Sequence, residues 1–208
     1  MATHVKGLYA IIDPDFCRER DPVWVGERVL SGGCAALQLR MKGAEDRLRL
    51  QTARALATRC REAGVPFWIN DRADIALLCD ADGLHLGQDD LPVSDARQLW
   101  GDRQLGLSTH TLPQARTARL AGADLIGFGP VFATSSKANP DPTVGIESLK
   151  EVSKQVDLPV VAIGGITQDH ADALRGSGAE YAAVISAVCS ADDPAAAARA
   201  LHRALVSH

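Results

Sequence analysis

Seven short apolar runs in this chain end in the same way. Each is rich in β-forming residues, and each stops on polar, glycine or metal-type residues. The runs and their endings are Leu37-Gln38-Leu39-Arg40-Met41-Lys42, Phe67-Trp68-Ile69-Asn70-Asp71, Leu84-His85-Leu86-Gly87-Gln88-Asp89-Asp90, Leu105-Gly106-Leu107-Ser108, Ile126 through Lys137, Val160 through Gly165, and Ala182 through Ser186. Strand-like runs alternate with helix-like stretches from end to end, which predicts strands near 8–12, 35–40, 67–70, 83–86, 104–108, 125–129, 160–163 and 181–185. Such βα units, filling all 208 residues, predict an α/β fold: a single (β/α)8 TIM barrel over 1–208. An open doubly wound sheet would gather its ligand-type residues at one switch point. Here nearly every strand ends on them, which suits a closed ring whose chemistry lies at the carboxyl ends of its strands.

The helical stretches carry their own punctuation. In Arg47–Ala63, residues Ala53, Leu56, Ala57, Cys60 and Ala63 share one face, with Arg49, Arg54, Arg59, Arg61 and Glu62 mostly elsewhere. Asp21-Pro22 and Asp193-Pro194 each place a capping carboxylate before a first-turn proline. Gly64-Val65-Pro66 stops one helix and starts a strand.

Composition narrows the function classes. The chain is 46% hydrophobic but only 4% aromatic, so its core is aliphatic. A net charge of −4 argues against a general nucleic-acid or membrane surface, and an anionic ligand would need a local positive site. The five scattered cysteines form no CxxC pair and read as free thiols of a reducing compartment. No signal-peptide pattern and no apolar run of about 20 residues is present, so a cytoplasmic location without membrane partners is expected. A homo-oligomer is left open.

The polar endings group into constellations. Gln38, Arg40 and Lys42 alternate along one expected strand and would point together into a barrel. Buried cations need an anion, which suggests a clamp for a diphosphate or an aromatic ring. Asn70-Asp71 and Asp90 follow the next two strands. Mg²⁺ takes one or two carboxylates plus substrate phosphate oxygens, so Asp71 and Asp90 suit a Mg-diphosphate. The competing reading makes Asn70-Asp71 the cap of a helix starting near Arg72. Ser108-Thr109-His110 invites a nucleophile reading, but no acid follows at an identifiable position. Ser108 then reads as a hydrogen-bonding site residue, and His110 as either a site residue or a structural contact. Thr134, Ser135, Ser136 and Lys137 open a long loop of the kind that closes over an anion. Gly164-Gly165 and Ile185-Ser186 end the last two strands, where barrels commonly hold a phosphate on backbone N–H groups. Two anion sites emerge, one with metal over strands two to four and one over strands seven and eight.

In this order and spacing, several motifs together resemble the thiamine phosphate synthase family over essentially the whole chain. They are Gln38-Leu39-Arg40-Met41-Lys42, Ile69-Asn70-Asp71-Arg72, His85-Leu86-Gly87-Gln88-Asp89-Asp90, Ser108-Thr109-His110, Gly129-Pro130-Val131-Phe132, Lys137, Ile163-Gly164-Gly165-Ile166 and Ile185-Ser186. That family joins hydroxymethylpyrimidine diphosphate to a thiazole phosphate and releases diphosphate. The resemblance implies that Gln38, Arg40, Lys42, Asn70, Ser108 and Lys137 bind the pyrimidine substrate. It implies Mg²⁺ on Asp71 and Asp90, and the thiazole phosphate on Thr134, Ser136, Gly165, Ile185 and Ser186. Arg40, Lys42, Ser108 and Lys137 would be the catalytic set. The chain departs from the family's usual hydroxyl pattern at Ser135-Ser136, where a serine still donates a hydrogen bond. Two other readings compete: a thiazole tautomerase on the same barrel, which needs no diphosphate metal site, and a non-catalytic sensor of phosphate ligands.

Overall fold

The computed structural model describes residues 5–134 and 142–207. Strand and helix alternate in the order β1 (Gly7–Ile12), α1 (Pro22–Gly32), β2 (Ala36–Leu39), α2 (Asp46–Ala63), β3 (Phe67–Asn70), α3 (Ala73–Leu78), β4 (Gly83–Leu86), α4 (Val93–Trp100), β5 (Gln104–Thr109), α5 (Leu112–Leu120), β6 (Leu125–Phe128), α6 (Gly145–Gln155), β7 (Val160–Ile163), α7 (Ala171–Arg175), β8 (Tyr181–Val184), α8 (Ser186–Cys189) and α9 (Pro194–Val206). The strands form a closed barrel in sequence order. Every pairing is parallel, and β1 pairs with both β2 and β8. All carboxyl ends therefore meet on one rim. Among the described residues, no helix is long and apolar enough to cross a membrane.

The expected helix boundaries follow from side-chain chemistry. Asp21 accepts from the Val23 amide at 3.0 Å to start α1, and Asp193 accepts from the Ala195 and Ala196 amides at 3.0 and 3.2 Å to start α9. Gly64 ends α2 in the left-handed conformation at φ 66°. On α2, Ala53, Leu56, Ala57 and Cys60 are buried, while Ala63 is exposed in the last turn. Arg49 departs from the expected solvent-facing set. It is buried because its guanidinium donates to the Met41 and Ala44 carbonyls at 3.1 and 2.7 Å, pinning the loop before its own helix.

Two apolar regions hold the fold. The larger lies between strands and helices, with Leu8, Ile12, Leu37, Leu56, Ile69, Leu84, Leu86 and Leu105 among its buried members. The smaller fills the barrel lumen with Tyr9, Ile11, Ala36, Trp68, Leu125, Val161 and Ala183. Inward positions alternate along each strand, so a bulky lumen residue needs a small one on the neighbouring strand. Trp68 of β3 lies over Gly83 of β4. A methyl group at Gly83 would meet the indole at 2.2 Å. Similarly, His85 of β4 lies over Gly106 and Gly127, where added methyl groups would approach its ring to 2.4 and 3.2 Å.

This packing predicts that Gly83→Ala destabilises the protein by about 1–3 kcal/mol through overpacking alone. Urea denaturation should show a lower midpoint at unchanged slope. An unchanged midpoint would mean that the indole has room to yield.

Candidate active site

At the rim, β2 stops one residue earlier than expected. Gln38 points into the lumen, is 2% exposed, and donates to the Tyr9 hydroxyl at 3.0 Å. The Arg40 amide still bonds the Ile12 carbonyl at 2.9 Å, but Arg40 lies beyond the strand and Lys42 lies in the following turn, where Gly43 takes φ 73°. The expected row of three side chains on one strand is therefore corrected to one buried amide and two cations at the strand exit. The physical reason is partner geometry: each cation bends toward a different carboxylate.

Arg40 pairs with Asp13, which sits just past β1 and is 1% exposed. Sequence reasoning missed Asp13, although the Leu8–Ile12 run ends on it in the same fashion as the other seven runs. Lys42 pairs with Asp71 at 3.1 Å. Asp71 holds a left-handed backbone at φ 64°, and its amide bonds the His85 carbonyl at 2.8 Å. It does not cap α3, which begins after Arg72 without any side-chain cap. The left-handed turn directs its carboxylate back over the rim instead. Burial, and then the neighbouring Asp90, push the Asp71 carboxyl up to about 6, against the pull of Lys42. Asp90 accepts from the Gly87 amide at 2.6 Å, and a Cβ at Gly87 would come within 2.9 Å of that oxygen. Lys42, Asn70, Asp71 and Asp90, with Met41, Gly43, Arg49 and Arg72, line a pocket of about 330 Å³. A larger cleft of about 570 Å³ lies at the opposite, amino-terminal end of β3–β5, far from these groups.

Ser108 closes the inward face of β5. Its hydroxyl lies 3.0 Å from His85 Nε2, not against His110. His110 Nδ1 instead sits 2.6 Å from the carbonyl oxygen of Gly129, just past β6. Gln88, also missed from the sequence, donates to the Ser108 carbonyl at 2.6 Å. A hydrolytic triad would need a carboxylate on the far nitrogen of the histidine. His85 Nδ1 faces Gly106, so the nucleophile reading is not supported by the geometry.

The other half of the rim is built around two glycines. Gly164 and Gly165 take φ 100° and 62°, and added Cβ atoms would meet Pro130 at 2.4 Å and the Ala133 carbonyl at 2.2 Å. The Val131 and Phe132 amides bond the Ile163 and Gly164 carbonyls at 2.8 and 3.1 Å, so the chain after β6 runs alongside the exit of β7. Phe132 stacks on His170 at 3.7 Å and holds that path in place. Thr134 lies half-buried at its end. Ile185 leaves β8 at φ −113°, ψ −80°, and Ser186 opens α8. The first amides of a helix lack intrahelical acceptors and face outward from its start. Ser136 and Lys137, with Ser135, lie outside the described residues.

The structure thus brings Gln38, Arg40, Lys42, Asn70, Asp71, Asp90 and Ser108 to one side of the rim, on β2–β5. It brings Thr134, Gly165, Ile185 and Ser186 to the exits of β6–β8. Among the described residues, no group of three or more His, Cys, Asp or Glu side chains is arranged as a self-sufficient metal site. Two adjacent carboxylates with one raised pKa remain, an arrangement that a hard cation completed by ligand oxygens would relieve.

Comparison with known proteins bears on this arrangement. The family model described as thiamine monophosphate synthase matches residues 8–188. A thiamine-phosphate synthase from Chloroflexus aurantiacus is 46% identical over 200 residues, covering 96% of this chain and 92% of the relative. One from Anaeromyxobacter dehalogenans is 48% identical over 200 residues, covering 95% of this chain and 87% of the relative. The solved structure of thiamine phosphate pyrophosphorylase from Pyrococcus furiosus superposes with a TM-score of 0.88 at 35% identity, covering 96% of this chain and 95% of that one. The chain belongs to the thiamine monophosphate synthase family.

Proposed function

We propose that this chain is a thiamine phosphate synthase, a transferase that joins a pyrimidine methyl diphosphate to a thiazole phosphate and releases diphosphate. The observation that carries the reading is the cluster of Lys42, Asp71 and Asp90 in one pocket, with the Lys42–Asp71 pair at 3.1 Å and a raised Asp71 pKa. Such a cluster suits a metal-bound diphosphate, with two carboxylates for a hard cation and a lysine for the phosphate oxygens. Proton transfer on a thiazole would use one acid-base group and leave the second carboxylate without a task, as would a sensor.

In this reading Gln38 and Asn70 orient the pyrimidine, and Arg40 and Lys42 take the charge that grows on the departing diphosphate. Asp71 and Asp90 would hold Mg²⁺, which supplies further charge neutralisation to the leaving group. Lys137 would add a cation from the loop after β6. Thr134, Ser136, Gly165, Ile185 and Ser186 would hold the thiazole phosphate, so that its ring nitrogen faces the pyrimidine methylene. The ring electrons of the aminopyrimidine expel the diphosphate, and the thiazole nitrogen then forms the new C–N bond. The protein's contribution is position and field.

Incubation of the purified protein with both substrates and Mg²⁺ should yield thiamine phosphate and diphosphate in equal amounts. Omitting either substrate, or adding a chelator, should stop release. Isomerisation of the thiazole phosphate alone would favour the tautomerase, and binding without turnover, unchanged by chelator, the sensor.

The side chains can be tested singly. Lys42→Ala and Asp90→Ala should each lower turnover by about 10²-fold or more, with far-ultraviolet circular dichroism unchanged. A near-normal rate in either variant removes that residue from the mechanism.

A further inference from the structure

His85 is a titratable side chain of the barrel lumen that the reaction described above leaves without a task. It sits below the rim with its ring over Gly106 and Gly127. Both glycines are needed to make that room: a methyl group at Gly106 would lie 2.4 Å from Nδ1, and one at Gly127 would lie 3.2 Å from the ring. Nε2 lies 3.0 Å from the Ser108 hydroxyl. Nδ1 is buried and has no hydrogen-bond partner among the described residues.

A buried polar atom without a partner costs free energy, so its retention asks for a reason. The two neutral forms of the ring differ in what they leave unsatisfied. With the proton on Nδ1, a buried N–H donor faces Gly106. With the proton on Nε2, only a lone pair does. Orphaned buried N–H groups are rarer than under-satisfied acceptors, which favours the Nε2–H form. In that form the ring donates to Ser108 Oγ. A hydroxyl has one proton and two lone pairs. Once one lone pair is taken from below, the proton of Ser108 is free to point up into the site.

We propose that His85 is a positioning residue that fixes the hydroxyl of Ser108 as a donor toward an acceptor atom of the pyrimidine diphosphate. This inference rests on the function proposed above for the same rim. The Gln88 side chain holds the Ser108 carbonyl at 2.6 Å, so the backbone of Ser108 is fixed independently, and the hydroxyl rotor is what His85 adds.

A double-mutant cycle with a spectroscopic control tests the inference. His85→Leu should lower kcat/KM for thiamine phosphate formation by about tenfold, the equivalent of one hydrogen bond. His85→Gln, which retains a side-chain N–H, should recover to within about threefold. The thermal midpoint of His85→Leu should hold or rise, because an unsatisfied nitrogen is exchanged for an apolar group. In a Ser108→Ala background the same His85→Leu change should alter kcat/KM by less than about twofold. Equal losses in both backgrounds, or activity that merely tracks a falling midpoint, would overturn the proposal. Imidazole ¹⁵N NMR on the protein without substrates should show a neutral Nε2–H ring whose Nε2 signal moves in Ser108→Ala. No movement would also overturn it. A wild-type protein that makes no thiamine phosphate would instead refute the proposed function, while the NMR arm still decides the His85–Ser108 contact.

Discussion

The parallel backbone ladder that runs from β1 round to β8 and back to β1 places the features of the site on one rim. Tyr181 pairs with Gly7, and Val184 with Ala10. Because each strand runs parallel to its neighbours, closure sets all eight carboxyl ends on one rim. Asp13 after β1 can then reach Arg40 after β2, and Asp71 after β3 can reach Lys42. In an open sheet β1 and β8 would be far edges, and the β8 exit at Ser186 would face nothing.

The parallel register also explains the charge pattern. Each cation on the β2 exit has its own carboxylate, so among the described residues that exit presents no bare positive patch. The net charge of −4 adds no attraction for an anion. Burial, with Asp90 beside it, raises the Asp71 pKa. In the proposed function a divalent cation on these two carboxylates would favour diphosphate binding, and diphosphate would favour the cation. The β7 exit carries two left-handed glycines, Gly164 and Gly165, and in the proposed function these and the amides at the β8 exit would hold a monophosphate without metal.

Much of this was legible from residue order. The alternation of strand-like and helix-like stretches located all eight strands to within a residue or two, because parallel strands buried on both sides read as apolar runs. The capping aspartates before Pro22 and Pro194 were equally plain. Pairings across the rim were not. Nothing local marks Asp13 as the partner of Arg40, since their contact is created by β1–β2 register. Simple alternation put Arg40 and Lys42 on one strand, but ion pairing and the Gly43 turn take them off it. Arg49 reads as a surface residue until the loop carbonyls that it satisfies are folded beneath it. His110 lies beside Ser108 in sequence, but His85 is the histidine that the Ser108 hydroxyl meets in space.

In the proposed function the two halves of the rim differ in chemistry, one needing metal and the other not. Isothermal titration with inorganic diphosphate tests it most directly, run with and without Mg²⁺ on the wild-type protein and on Asp71→Asn. Diphosphate binding should need Mg²⁺ and weaken by more than about tenfold in Asp71→Asn, with thiazole phosphate binding unchanged in both settings. Diphosphate affinity indifferent to Mg²⁺ and to Asp71, or a loss shared equally by both ligands, would contradict it.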